Sequence, residues 1–173
     1  MKSILILALI ISSFSQGWAQ MLMHYTSEKY DYSVRLPEDW RRNDELKGDN
    51  LAMVVVSPEN GSLSFAFYSM KDVNSEEFIE NYQKSLEKQL PMIQVHEKGN
   101  FKSRDDQATY LVIDFEKDGK KKREKVCFYP RKKEMAVVTA SDNKETFHQM
   151  TPVLDDVFAS FTFETKQEVV DPE

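Results

Sequence analysis

Between residues 25 and 163, hydrophobic and polar positions repeat with a period of two in short runs and with a helical period in two longer stretches. Tyr32-Ser33-Val34-Arg35-Leu36 alternates and stops at Pro37, which has no N–H to donate to a ladder. Residues 51–56 are almost entirely apolar, the composition of a strand covered on both faces. A Pro58-Glu59-Asn60-Gly61 turn follows, with Asn-Gly as a hairpin signal. Leu63, Phe65 and Phe67 then alternate with Ser64, Ala66 and Tyr68, which predicts a strand with one heavily apolar face.

A helix is expected next. Asn74 has the side chain to cap it, Glu77 completes a capping box three residues on, and Val73 and Phe78 stand at the staple positions. Phe78, Ile79, Tyr82, Leu86 and Leu90 form one stripe. Acids (Glu76, Glu77, Glu80) open this helix, Lys84 and Lys88 close it in accord with the macrodipole, and Pro91 ends it. A meander follows, with strands at 109–115, 125–129 and 135–140 and an Asp118-Gly119 type I′ turn between the first two. Ser141 or Asp142 is expected to cap a second helical stretch carrying Phe147, Met150, Leu154 and Phe158. Pro152 should break it, with Thr151 as a new cap. Phe161-Thr162-Phe163 reads as a closing strand. The order ββββ-α-ββββ-α-β, joined by hairpins, predicts an α+β fold in which an antiparallel β-sheet is sandwiched by two helices, an α/β/α arrangement.

The amino terminus sets the compartment. Lys2 precedes an apolar run at residues 4–11, a polar segment follows, and Gly17 and Ala19 stand at −3 and −1 of a cut before Gln20. Eight apolar residues span about 12 Å, far short of a ~30 Å hydrocarbon core, so residues 1–19 read as a secretory signal peptide. No Cys follows the apolar run, which argues against lipoprotein processing. The expected organisation is a signal peptide (1–19), one domain (20–164) and an unpacked tail (165–173). The product is expected to be periplasmic or extracellular, without a membrane segment.

Charge narrows the partners. The 173-residue chain carries a net charge of −6, and −7 once Lys2 is removed, so it has no general attraction to nucleic acid or anionic lipid. Cys127 is the only cysteine, which excludes an intramolecular disulfide. It lies in Val126-Cys127-Phe128-Tyr129 and reads as a buried core residue rather than a nucleophile.

The opening Tyr25…Tyr32-Ser33-Val34-Arg35-Leu36-Pro37-Glu38-Asp39-Trp40, the apolar strand pair, the first helix, the meander and the closing Phe147…Val157-Phe158-Ala159-Ser160-Phe161 resemble the PsbP/Mog superfamily over about residues 24–163. That resemblance implies an α/β/α sandwich acting as a binding or scaffolding module. It carries no functional residue over: the long basic N-terminal extension of the family's photosystem subunits is not expected here, and nothing in the sequence marks the Ran-contacting surface of its nuclear member.

Motifs for reaction chemistry are not evident. The sequence holds no Gly-x-Ser-x-Gly, phosphate-cradling loop or His-Glu-x-x-His, and no cofactor is expected. His24, His96 and His148 fall in three different elements; His96-Glu97 reads as an exposed strand pair. Asp105-Asp106 and Asp155-Asp156 read as a turn and a solvated helix face, with acid–base work the alternative. Lys120, Lys121, Lys122 and Arg123 are the strongest charge feature, either a solvated hairpin tip or a site for an acidic partner. Arg131-Lys132-Lys133 lies at the far end of the same strand, about 25–30 Å away, too far to join it. Trp40 reads as a core plug at one end of the sheet, with a stacking platform as the alternative. Together these features favour an exported, non-catalytic module that binds a protein partner, through Lys120–Arg123 first and the Trp40 edge second. Two other readings stand beside it: a secreted or periplasmic hydrolase whose site is assembled from distant residues, and a carrier with an apolar pocket between sheet and helix.

Overall fold

A computed structural model describes residues 21–71, 73–90, 92–104 and 106–164; the signal segment and the tail therefore lie outside the described residues. In chain order the strands are β1 (Leu22–Ser27), β2 (Tyr32–Pro37), β3 (Arg41–Arg42), β4 (Leu51–Val56) and β5 (Ser62–Ser69), then helix α1 (Ser75–Gln89). There follow β6 (Gln94–Ser103), β7 (Asp106–Lys117), β8 (Lys120–Arg131), β9 (Glu134–Asn143), helix α2 (Phe147–Ser160) and β10 (Thr162–Phe163). Seven strands form one antiparallel sheet in the order β3-β4-β5-β9-β8-β7-β6, and β1-β2-β10 form a small antiparallel sheet of their own.

The period-two pattern divides the core. Leu111, Ile113 and Phe115 of β7, Val126 and Phe128 of β8, and Met135 and Val137 of β9 turn to the face that α1 covers. Cys127, Tyr129, Ala136, Val138 and Ala140 turn to the opposite face, where they meet Phe65, Tyr32, Leu154, Phe158 and Phe161. The run Val126–Tyr129 is thus apolar without alternation because its residues serve two cores in turn. The helices divide the faces unequally. One face is covered by α1, whereas on the other α2 shares the cover with the small sheet, through Tyr32, Val34 and Leu36 of β2.

The first helix forms as its caps dictate: Asn74 Oδ1 accepts from the Glu77 N–H at 2.9 Å, and the Leu90 N–H closes the last turn on Leu86 O. Its apolar stripe is shallower than its sequence suggests. Ile79 is buried, whereas Phe78, Tyr82 and Leu86 are half-buried against Tyr68 and Phe128. Phe78→Ala should therefore cost about 1–2.5 kcal/mol, below the 3–5 kcal/mol of a fully buried Phe. Glu80→Ala on the exposed face should leave the urea midpoint unmoved; equal midpoints for the two variants would contradict this orientation of the helix.

The second helix departs from expectation. It runs unbroken through Pro152, and it starts at Phe147, later than Ser141 or Asp142, which belong to β9. Phe147, Met150, Leu154, Val157 and Phe158 are buried on both sides of Pro152. Burial worth about 1.5–3 kcal/mol per side chain outweighs the roughly 3 kcal/mol cost of an interior proline. Asp142 is not a helix cap. Its carboxylate accepts from the Asn143 N–H at 2.6 Å and from Thr146 Oγ1 at 2.7 Å, holding the turn that leads into the helix.

The β7–β8 turn is as read from Asp118-Gly119: both residues have positive φ, 54° and 72°, and Lys117 pairs with Lys120. At the other turn, Asn60 carries the positive φ of 71°, and a Cβ added to Gly61 would collide with the Met150 sulfur.

Cys127 is fully buried, and burial pushes its thiol well above the ordinary range. Ellman's reagent should accordingly react slowly with the native protein and fully in guanidinium; rapid native labelling would contradict that burial.

Candidate functional site

Fixing the turn at Asp118-Gly119 fixes the parity of the basic run. Along β8, Lys120, Lys122 and Glu124 share the parity of Val126 and Phe128 and so lie on the α1 face; Lys121, Arg123 and Lys125 lie on the α2 face. The four candidate bases are split between the two faces and do not form one patch.

Arg123 leaves the tip altogether. It stands directly across the ladder from Asp114, and its Nε and Nη2 donate to the two carboxylate oxygens at 2.7 and 3.0 Å. Lys144 Nζ reaches the same carboxylate at 2.6 Å and His96 Nε2 at 2.7 Å. Three basic side chains from three segments thus converge on one aspartate whose side chain is only 9% exposed. Burial alone would push this carboxyl up. The hydrogen bonds from Arg123 and Lys144 and the charges of Arg123 and His96 outweigh that and hold it well below the usual carboxylate range. His96 is therefore engaged with Asp114, and its neighbour Glu97 accepts from the Tyr110 hydroxyl, so the two do not act as a pair.

The other sequence candidates fall in separate places. Lys125 donates to Asp155 at 2.7 Å, its ammonium 5.2 Å from the Tyr110 ring centroid, while Asp156 is exposed. Asp105 lies outside the described residues. Trp40 is 9% exposed and belongs to the main core. It borders a cavity of about 170 Å³ with Ser57, Asp142, Thr146 and Met150, so it seals the core and has little surface left for a partner. Among the described residues no group of three or more His, Cys, Asp or Glu side chains is placed to hold a metal ion.

What remains at the hairpin end is Lys120, Lys121 and Lys122, none of which makes an ion pair among the described residues. Lys121 borders a cleft of about 200 Å³ on the α2 side with Lys144, Gln94 and Met92, the last 70% exposed. Lys120 and Lys122 border a larger groove, about 530 Å³, where Leu86 and Leu90 lean over the end of the β7–β8 ladder. The Asp114 cluster was missed in the sequence, although one signal was present: a charged residue inside the apolar run Leu111-Val112-Ile113-Asp114-Phe115.

A seven-stranded antiparallel sheet with two helices and a small accessory sheet is an α+β, PsbP-like fold. Cyanobacterial PsbP from Synechocystis superposes with a TM-score of 0.62 at 13% identity, covering 88% of this chain and 98% of that one. LpqN of Mycobacterium tuberculosis, described as involved in cell envelope biogenesis, superposes with a TM-score of 0.62 at 14% identity over 84% of this chain and 91% of its own. A Pseudomonas aeruginosa protein of unknown function superposes with a TM-score of 0.59 at 12% identity, covering 84% and 99%. No family model matches the sequence, and no curated protein matches it either. Among the described residues no helix is long and apolar enough to cross a membrane.

Proposed function

We infer that this is an exported, non-catalytic binding module that holds an acidic surface of a partner protein at the β7–β8 hairpin end. The observation that carries the reading is the division of labour among its bases. Arg123, Lys125 and Lys144 each pair with a carboxylate, whereas Lys120, Lys121 and Lys122 make no ion pair among the described residues, on a chain whose net charge is −7 after cleavage. Bases left without an ion pair at one ladder end, Lys120 and Lys121 exposed and Lys122 half-buried, gain from an acidic surface that wraps both faces of the hairpin end. Residues 1–19 support export, and the structural likeness to LpqN is in keeping with an envelope setting.

The test is capture by the tagged mature chain from an envelope extract. Replacing Lys120, Lys121 and Lys122 by Ser should abolish capture of an acidic partner and leave the melting temperature nearly unchanged. Arg123→Ser, by contrast, should lower the melting temperature, because it strips Asp114 of its bidentate partner. Undiminished capture by the triple variant would overturn the reading.

A further inference from the structure

We propose that the groove between the end of α1 and the β7–β8 hairpin binds an amphipathic organic anion, an aromatic or alicyclic body bearing one acidic group. At about 530 Å³ the space is of small-molecule size and is open on one side. Its two walls differ in character. Leu86 and Leu90 from the helix and Phe115 from β7 line one part with hydrocarbon, while Lys117, Lys120 and Lys122, with Asp118, Glu124 and Ser141 among them, line the rest.

None of these three ammonium groups makes an ion pair among the described residues, and the three bases outnumber the two acids of the lining, Asp118 and Glu124, so the groove keeps an excess of positive charge. The floor is polar as well: Glu124 hydrogen-bonds Ser141, and burial pushes its carboxyl above the ordinary range despite the hydrogen bond and the nearby Lys117 and Lys122. A half-buried carboxyl already hydrogen-bonded to Ser141 opposes an incoming anion less than an exposed one, and its oxygens can accept from a ligand hydroxyl or amide. An anion lacking an apolar body would leave the Leu86–Leu90 wall wet, and a neutral apolar body would leave the lysines without a counter-charge. Only the combination satisfies both.

This site goes beyond the capture of a protein partner. It shares Lys120 and Lys122 with that surface but not Lys121, which lies on the other face of the sheet.

The experiment titrates the purified mature protein with 8-anilinonaphthalene-1-sulfonate, using N-phenyl-1-naphthylamine as the same apolar body without the sulfonate. The expected result is saturable binding of one sulfonate dye per chain and binding of the neutral dye weaker by roughly tenfold or more. Replacing Lys117, Lys120 and Lys122 by Gln should weaken the sulfonate dye by a similar factor. Replacing Lys132 and Lys133, at the far end of β8, should change it little. Leu86→Asp, half-exposed and so tolerated by the fold, should weaken both dyes.

Equal binding of the two dyes, insensitivity to the three lysines, or no saturable binding would each overturn the proposal. Lys121→Ser should weaken poly-glutamate and leave the sulfonate dye unchanged, and a dye weakened by Lys121→Ser would overturn the proposal, so the two readings fail separately. Poly-glutamate should compete with the dye through the shared Lys120 and Lys122 but be unaffected by Leu86→Asp; a sulfonate dye equally unaffected by Leu86→Asp would assign the groove to charge alone and overturn the small-ligand assignment.

Discussion

Replacing Phe161 by Ala should destabilise the protein by about 3–5 kcal/mol, the largest single-residue effect expected outside the charged cluster. Phe161 follows directly on α2 and is 2% exposed. Its ring centroid lies 4.3 Å from that of Tyr129, 5.4 Å from Tyr32 and 6.4 Å from Phe65, so one side chain touches β8, β2 and β5. Its carbonyl accepts from Ser103 Oγ at 2.5 Å, and Tyr129 Oη donates to Phe158 O at 2.9 Å one turn earlier. Truncation would leave a cavity at the point where the small sheet, α2 and the main sheet meet, and stiff strands on three sides close poorly around it. Phe163, two residues on and only half-buried, provides the control. Phe163→Ala should cost clearly less in urea unfolding, and equal losses would mean that the small sheet does not dock through Phe161.

Asp114→Asn should cost about 2–3 kcal/mol at neutral pH. Removing one partner of a buried ion pair costs about 3–5 kcal/mol in general; here Arg123, His96 and Lys144 keep 30–40% of their side-chain surface in water, which screens part of the loss. The pH dependence identifies the cause. The folded-state pKa of Asp114 is depressed relative to its unfolded value of about 4, so its stabilisation is present above about pH 4 and is lost as the pH falls towards the folded value. The gap between wild type and Asp114→Asn should therefore close by about 1.4 kcal/mol for each pH unit below about 4. Chemical denaturation at pH 7, 4 and 3 measures it. A gap that stays constant would mean that the aspartate acts through its shape and not its charge.

The reach of sequence reasoning ended where contacts became long-range. Local signals placed α1 at Asn74, the β7–β8 turn at Asp118-Gly119 and Cys127 in the core, because capping, positive φ and alternation are settled within a few residues. Parity alone could have separated Lys120 and Lys122 from Lys121 and Arg123, since the turn fixes which face each side chain takes. Pro152 misled because local helix rules ignore the burial of Phe147, Met150, Leu154, Val157 and Phe158, which holds the helix together across it. The accessory sheet escaped notice for a similar reason: β10 is two residues long and pairs with a strand more than a hundred residues earlier. The Asp114 cluster needs the register of β6, β7 and β8 together with the position of Lys144, and no local pattern encodes that.

The claim that the lysines at the hairpin end hold an acidic partner is tested most directly by the salt dependence of the captured complex. Dissociation constants at 50 and 200 mM salt should be compared for wild type, for the Lys120→Ser, Lys121→Ser, Lys122→Ser triple variant, and for Lys132→Ser, Lys133→Ser at the other end of β8. Exposed charges are screened beyond about 8–10 Å at such ionic strengths. The wild type and the Lys132/Lys133 variant should therefore weaken together as salt rises, while the triple variant should bind poorly at both concentrations and respond little. A triple variant that binds as tightly as wild type, with the same response to salt, would contradict the account.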